Sequence, residues 1–368
     1  MTYTPLFRSF PLTLSYCLLL LNFKAAAQPF ANPEDLFALS IEELMQIELS
    51  TGSRLPQSVA ESPGLVMVIN RQQIERRGYR NLRDLLKDLP ATEVKRHTLT
   101  EHTTSAQMRG VPGRVANDQF VILLDGHRIN EPSSAAISLD DNLPLYMVER
   151  VEVAYGPYSS QYGADAVVGV INLISSHPKA GENSAQVALE GGEYDYRRAS
   201  GFGQARSGKF ALALGGHSGQ SDNNSPSKQD PARYRLGDLV NFSGDTVVPA
   251  EERAPYRYPL SSSSVFAKAS YAEDSILGLM HSSYEAPTWG AEGANTADYG
   301  VDAFWQQRLT TLWFDQYWRP GGDLDYLFAL DYGLGEVGPD SNYRNRFSDF
   351  NQVYKYQRSE RFQAAADV

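Results

Sequence analysis

Cysteine is almost absent: Cys17 is the single one in 368 residues, so no disulfide framework and no cluster of thiolate ligands can hold this chain. Basic residues are in deficit, with 33 Lys plus Arg against 44 Asp plus Glu and a formal charge of −11, which argues against a nucleic-acid binder. The 29 glycines have no three-residue period and the 20 prolines interrupt any heptad, which excludes collagen and coiled coil. Enzyme signatures are missing too. Gly216-His217-Ser218-Gly219-Gln220 lacks the last Gly of a nucleophile elbow, and Gly201-Phe202-Gly203 is followed by Arg206 where a dinucleotide loop needs Gly or Ala. No Walker loop occurs, and the six histidines never take the H-E-x-x-H spacing. What remains, 42% hydrophobic and 21% charged residues, is the composition of a folded protein.

Long apolar runs are confined to the N-terminus. Arg8 precedes an apolar stretch from Phe10 to Phe23, and Ala25-Ala26-Ala27 offers the small residues of a cleavage site, so residues 1–27 are expected to be an export signal that is removed. A buried helix is the competing reading, interrupted by Pro11; a lipoprotein signal at Cys17 is opposed by bulky Tyr16. Removal takes Arg8, Lys24 and the only cysteine with it, leaving 31 basic residues against 44 acidic and a charge of −13.

Beyond the signal the chain has two grammars. Up to about Pro178, helix and strand signals alternate. Ser40-Ile41-Glu42-Glu43 forms a capping box with Leu39 and Leu44 as a staple. Asn70 with Gln73 repeats the cap and Gly78 supplies a stop, while Asn81 to Leu89 gives another helix ended by Pro90. Leu65 to Ile69, Phe120 to Leu124, Val148 to Val153 and Val167 to Ile174 read as strands, so this region is an α+β domain.

After about Ala180 the period becomes two. Ala185, Val187 and Leu189 alternate with small or polar residues; so do Phe210, Leu212 and Leu214, and Val265, Ala267, Ala269 and Tyr271. In the clearest case Leu324, Tyr326, Phe328, Leu330, Tyr332 and Leu334 oppose a set containing Asp323, Asp325 and Asp331. One face is apolar and aromatic; the other tolerates charge. Short links (Arg206 to Lys209, Ala272 to Ser275, Arg319 to Gly322) alternate with longer ones (Gly192 to Arg197, Gly219 to Leu260, Glu285 to Asp302, and after Gly335). Transmembrane β-barrels have this asymmetry, with tight periplasmic turns and long external loops. The 21 Tyr and 4 Trp suit interfacial girdles. A soluble sandwich would also alternate and stays open at this point.

The run from Met147 to Ile174, carrying Glu152, Gly156-Pro157, Gly163, Gly169 and Asn172, closely resembles the end of the plug domain of TonB-dependent outer-membrane receptors. Met108-Arg109-Gly110 and Val121 to Asn130, with Asp125-Gly126 inside it, match two further plug motifs in the same order. The resemblance covers roughly residues 35 to 178. It implies an α+β plug followed by antiparallel transmembrane barrel strands: a segment at 28–60 that includes the TonB box, the plug at 61–178 and a partial, incomplete barrel at 179–368. The glycines and Pro157 are expected to be turn punctuation, and Asp125-Gly126 a hairpin turn. By resemblance Arg109 and Glu152 belong to plug charges that lie against barrel carboxylates and arginines. Tyr155 departs from the family, which has Arg before Gly-Pro, and no role is assigned to it.

The resemblance further implies active import of a scarce ligand such as a ferric siderophore, haem or cobalamin, energised by TonB with the ExbB-ExbD complex. Its partners are then TonB, outer-membrane lipid and a small molecule or metal chelate, with no nucleic acid, no catalytic residue, no cofactor and no resident metal. Ile47-Glu48-Leu49-Ser50-Thr51 is the best TonB box, since its alternation suits strand addition to another protein; the competing reading is that Ile47 to Leu49 ends the helix begun at Ser40. Arg96, His97 and His102, in a segment resembling a plug apex, are candidate ligand contacts, against the reading of solvated loop residues.

Residues 180–368 hold seven or eight strands at about ten residues each with their loops. A ~140-residue plug is roughly 35 Å across, whereas an eight-stranded barrel is filled by its own side chains and plugged transporters use about 22 strands. The chain is therefore expected to be a truncated product or a partial record of a longer receptor, and it ends at Ala364 to Val368 without the terminal aromatic of such barrels. A non-transporting product with open strand edges, and a soluble periplasmic binding or enzymatic protein, are the alternatives.

Overall fold

The computed structural model describes residues 48–49, 57–58, 64–96, 104–111, 119–133, 137–139, 141–178, 183–221, 237–240, 243–252, 260–287, 304–320, 324–338, 341–345, 350–353 and 357–367. The expected signal, the helix at Ser40, and His97 and His102 lie outside them. Two residue pairs, β1 (Glu48–Leu49) and β2 (Gln57–Ser58), form a small antiparallel ladder, so the centre of the candidate TonB box is extended.

The plug is built on a five-stranded mixed sheet. Its strands are β3 (Leu65–Asn70), β6 (Phe120–Leu124), β7 (His127–Arg128), β8 (Val148–Tyr155) and β9 (Gly169–Ser175); β4 (Thr92–Arg96) and β5 (Thr104–Met108) form a separate hairpin. The sheet order is β3-β8-β9-β6-β7, with β6 and β9 parallel and the other pairs antiparallel. Strand β6 is buried at all five positions. Phe120, Ile122 and Leu124 enter one core cluster while Val121 and Leu123 enter a second with Tyr158, Tyr162 and Ala166. That two-sided burial is why its sequence is a continuous apolar run rather than an alternation.

Helix α1 (Arg71–Arg77) starts at a complete capping box, Asn70 accepting from Gln73 N and the Gln73 side chain accepting from Asn70 N, and stops at Gly78 in the left-handed region. Helix α2 (Leu82–Lys87) is capped by Asn81 and buries Leu82, Leu85 and Leu86. Asp125 and Gly126, at φ +50° and +86°, make the expected tight turn and close the pair of Leu124 with His127.

After the plug, eight long strands form one open antiparallel sheet. They are β10 (Ser184–Gly191), β11 (Arg197–Ser207), β12 (Phe210–Ser221), β15 (Leu260–Tyr271), β16 (Ser275–Pro287), β17 (Phe304–Trp318), β18 (Tyr326–Val337) and β21 (Gln357–Asp367), hydrogen-bonded in that order. Between them, β13 (Leu239–Val240) with β14 (Thr246–Val248), and β19 (Asn342–Asn345) with β20 (Phe350–Val353), are small hairpins in the longer connections. Several expected boundaries are corrected. Strands β12 and β16 run two residues further into the presumed loops, to Ser221 and Pro287, and β18 begins at Tyr326 rather than Leu324. The added positions, Gly219 to Ser221 and Glu285 to Pro287, continue the ladders with β15 and β17.

This sheet is inside out. Its exposed face carries Val187, Leu189, Phe210, Leu214, Val265, Leu277, Leu312, Phe314, Phe328 and Phe362. Its covered face carries Arg198, His217, Ser262, Ser264, Lys268, Gln307, Thr311, Asp315 and Asp331, together with aromatic residues such as Phe266 and Trp313. A water-soluble sandwich requires the opposite arrangement, whereas a barrel wall in hydrocarbon requires this one. Trp318 and Tyr326, both beside a short turn, pack with their rings tilted and centroids 5.1 Å apart where an interfacial girdle would lie.

Candidate functional site

The covered face of the sheet packs directly on the plug. Plug residues Tyr146, Met147 and Val148 share one core cluster with Phe202, Ala213, Phe266, Met280, Leu309 and Trp313 of the strands. Glycines make the close approach possible: a Cβ at Gly215 would stand 2.5 Å from the Tyr146 ring, and one at Gly335 would stand 2.9 Å from Pro132 Cδ.

Around that apolar contact the plug is held by buried polar pairs. Lys268 Nζ, on β15, donates to Asp125 Oδ2 at 3.2 Å and also to the hydroxyl and carbonyl oxygens of Ser175. Asp125 is fixed from its other side, accepting from Ser175 N at 2.8 Å and Ser175 Oγ at 2.5 Å. The tight turn therefore aims its carboxylate at the wall, and the end of β9 holds it there.

One turn residue further on, His127 is only 4% exposed. Its Nε2 donates to Asp315 Oδ1 and Oδ2, both at 3.1 Å, on β17. Its Nδ1 lies 3.6 Å from Asp331 Oδ2 on β18, an ionic contact beyond hydrogen-bond length. The ring stacks on Trp313 at 5.6 Å between centroids. Burial opposes the charged imidazole, but the two carboxylates outweigh it and push its pKa up to about 9. Arg361, on β21, reaches Arg128 O at 2.5 Å and Asp331 Oδ1 at 3.4 Å, and the Ser359 hydroxyl donates to Glu131.

Toward the other end of the strands, His217 bonds Ser264 Oγ at 2.7 Å and Ser262 Oγ at 3.2 Å, and the Tyr146 hydroxyl meets the same Ser264 at 3.3 Å. Arg198 donates to Arg80 O at 3.3 Å. Near the short turns, a cavity of about 300 Å³ opens between plug and wall, lined by Asp125, His127, His177, Lys268, Asp315 and Tyr317 among others.

The expected site residues distribute unevenly over this interface. Asp125 and Gly126 form the turn that meets the wall, and Asn172 Oδ1 accepts from Gly126 N at 3.1 Å. Gly156 and Gly163 take positive φ, +142° and +88°, as turn punctuation, with Pro157 between the first of them and the one-turn helix at Ser159–Tyr162. Gly169 lets β9 pass β8, since a Cβ there would meet Ala154 O at 2.7 Å.

Arg109 and Gly110 make an exposed left-handed turn, with Arg109 N donating to Ala91 O at 2.7 Å. Glu152 is fully buried and pairs with Arg150 Nε of its own strand at 2.8 Å. Charges that reach the wall include Asp125, His127, Glu131 and Arg80, the last 3.9 Å from Glu190 Oε2 on β10. Tyr155 has a role after all: its hydroxyl donates to Pro90 O at 2.9 Å, tying β8 to the stop of α2. Arg96 ends β4 and precedes the connection that contains His97 and His102. Of the TonB-box candidates, Glu48 and Leu49 are in β1, while Ile47, Ser50 and Thr51 lie outside the described residues.

Residues 58–170 match the family model of the TonB-dependent receptor plug domain. Over those residues the chain carries the plug domain of TonB-dependent receptors. It is 36% identical over 166 residues to the vitamin B12 transporter BtuB of Vibrio vulnificus, covering 45% of this chain and 25% of that one. It is 34% identical over 145 residues to the iron-regulated outer membrane virulence protein of Vibrio cholerae, covering 38% of this chain and 21% of that one. The fold is that of the ferripyoverdine receptor of the outer membrane of Pseudomonas aeruginosa, at 15% identity and a TM-score of 0.55, over 79% of this chain and 37% of that one. These matches span about a fifth to two fifths of the relatives' lengths. The receptor's compartment is the outer membrane, and its relatives are named as transporters and receptors rather than enzymes.

Proposed function

We propose that the receptor imports a scarce ligand, a cobalamin, haem or ferric chelate, across the outer membrane, driven by TonB and its ExbB-ExbD complex. The observation that carries this reading is a plug seated through buried ion pairs, Asp125 with Lys268 and His127 with Asp315, on a sheet whose outer face suits lipid. In a closed barrel of such strands the plug would bar the path until it shifted, and ion pairs of modest number can be broken by work applied from outside the plug. Naming the vitamin B12 transporter and the iron-regulated protein as relatives supports these ligand classes.

The pulling point is Ile47-Glu48-Leu49-Ser50-Thr51. Its centre is extended and, among the described residues, pairs with the two residues of β2, a strand edge of the kind that could be exchanged for a partner's strand. Deletion of residues 47–51 in the receptor, expressed in cells lacking their own cobalamin and siderophore receptors, is expected to abolish energised uptake of radiolabelled ligand. Surface binding of the same ligand is expected to persist. Uptake at the undeleted level would overturn the assignment.

A further inference from the structure

We infer that His127 is a protonation-dependent latch: as an imidazolium it bridges Asp315 and Asp331 on adjacent wall strands and docks the Asp125-Gly126 turn, and its deprotonation frees that turn into the neighbouring cavity. The inference concerns how the plug is seated and stands whatever the receptor's ligand.

The geometry is that of a counter-ion rather than a packing residue. Strands β17 and β18 are paired with Trp313 opposite Asp331, which puts Asp315 two positions along on the same covered face. Two carboxylates thus share one wall patch, at 5% and 4% exposure, where mutual repulsion is poorly screened. The His127 ring lies between them and on Trp313, reaching both oxygens of Asp315. Nature's alternative cations are placed elsewhere. Lys268 of β15 is committed to Asp125 and Ser175, and Arg361 of β21 reaches Asp331 while its other bonds go to plug carbonyls. Arg128, next to His127, pairs with Asp165 inside the plug. Arg319 of the following turn is taken by Asp274 and Asp325, and Glu273 of the preceding turn by Arg206. Tyr317 and His177 complete the titratable lining on the cavity side, His177 being held below its ordinary value by burial and by Lys268.

Neutralising His127 leaves Asp315 without the imidazolium and leaves Asp331 with Arg361 alone. The neutral Nε2–H tautomer can still donate to Asp315, but the charge that offset both carboxylates is gone, so the turn is held by a weaker neutral bond there, by the Asp125 contact with Lys268 and by the Arg361 bond to Arg128 O. Since the two carboxylates outweigh the opposing effect of burial and raise the imidazole to about 9, docking is complete below the ordinary value near 6.5 and is lost as pH rises through about 9.

Hydrogen exchange of the 120–128 amides tests this on the intact receptor in lipid vesicles, corrected for intrinsic exchange, with the amides of β17 as internal reference. Protection of 120–128 is expected to fall at least about tenfold between pH 7.5 and 10, with a midpoint near 9. His127→Gln is expected to show the low protection at every pH, and Asp315→Asn to move the midpoint down by about one unit or more. Should His127→Gln fail to insert, direct titration of the histidine ring in the isotope-labelled wild-type receptor decides the matter. A ring that titrates below 7, or a step that survives in His127→Gln, overturns the latch and assigns the step to another lining group such as Lys268 or Tyr317.

Discussion

The plug and the wall bury opposite kinds of side chain. In the plug, Phe120, Ile122 and Leu124 are buried and charges such as Arg76 and Lys87 are exposed; in the wall, Asp331 and Lys268 are covered while Leu312 and Phe328 are exposed. Both are stable for one reason. Each buries the groups that its surroundings solvate worst, and the surroundings are water around the plug's free surfaces and hydrocarbon around the wall. The period of a strand therefore reports that two faces differ, and the medium decides which one turns outward.

Inverting the wall is the strongest way to break the comparison. Leu312→Arg puts a charge on the exposed face near the middle of the 15-residue strand β17 and is expected to cost ~2–4 kcal/mol of insertion stability, read from folding into vesicles over a denaturant series. A soluble protein would tolerate that change within about 0.5 kcal/mol. Removing the contact between the two regions comes next. Gly215→Val drives a side chain into the Tyr146 ring and is expected to destabilise plug seating by ~1–3 kcal/mol, seen as protease sensitivity of the plug with the wall intact. The smallest effect belongs to the plug alone: Asn70→Ala removes one half of the capping box and is expected to cost about 1 kcal/mol, confined to exchange of the 71–77 amides.

Much of the plug was legible because its signals are local. A cap and the N–H it accepts from sit three residues apart at Asn70 and Asn81, and the Asp125-Gly126 turn needs only two residues with positive φ. The eight wall strands agree with the expected seven or eight, yet β11, β16, β17 and β21 carry too much Ser, Thr, Gln and Arg to stand out as strands until a covered polar face is allowed. The interface itself was not legible. Asp125 is 143 residues from Lys268 and His127 is 188 from Asp315, and no local rule ties such partners together. Arg109 and Glu152 were the charges that the resemblance implied, and the segment from Asp125 to Glu131 presents further charges that meet the wall. His127 could have been noticed, with Arg128, as one of two basic residues directly after a tight turn that ends an apolar run. Its two acids could not.

The wall glycines carry a consequence for anyone who would graft parts between such receptors. Gly335 has no side chain because Pro132 and Glu131 occupy the space that one would fill. The wall is thus a cast of this plug, with the hollows recorded in strand residues some two hundred positions away. A chimaera that takes the plug from one receptor and the strands from another inherits a mould made for a different shape. Such exchanges are expected to succeed when the facing glycines travel with the plug, and to jam when they do not.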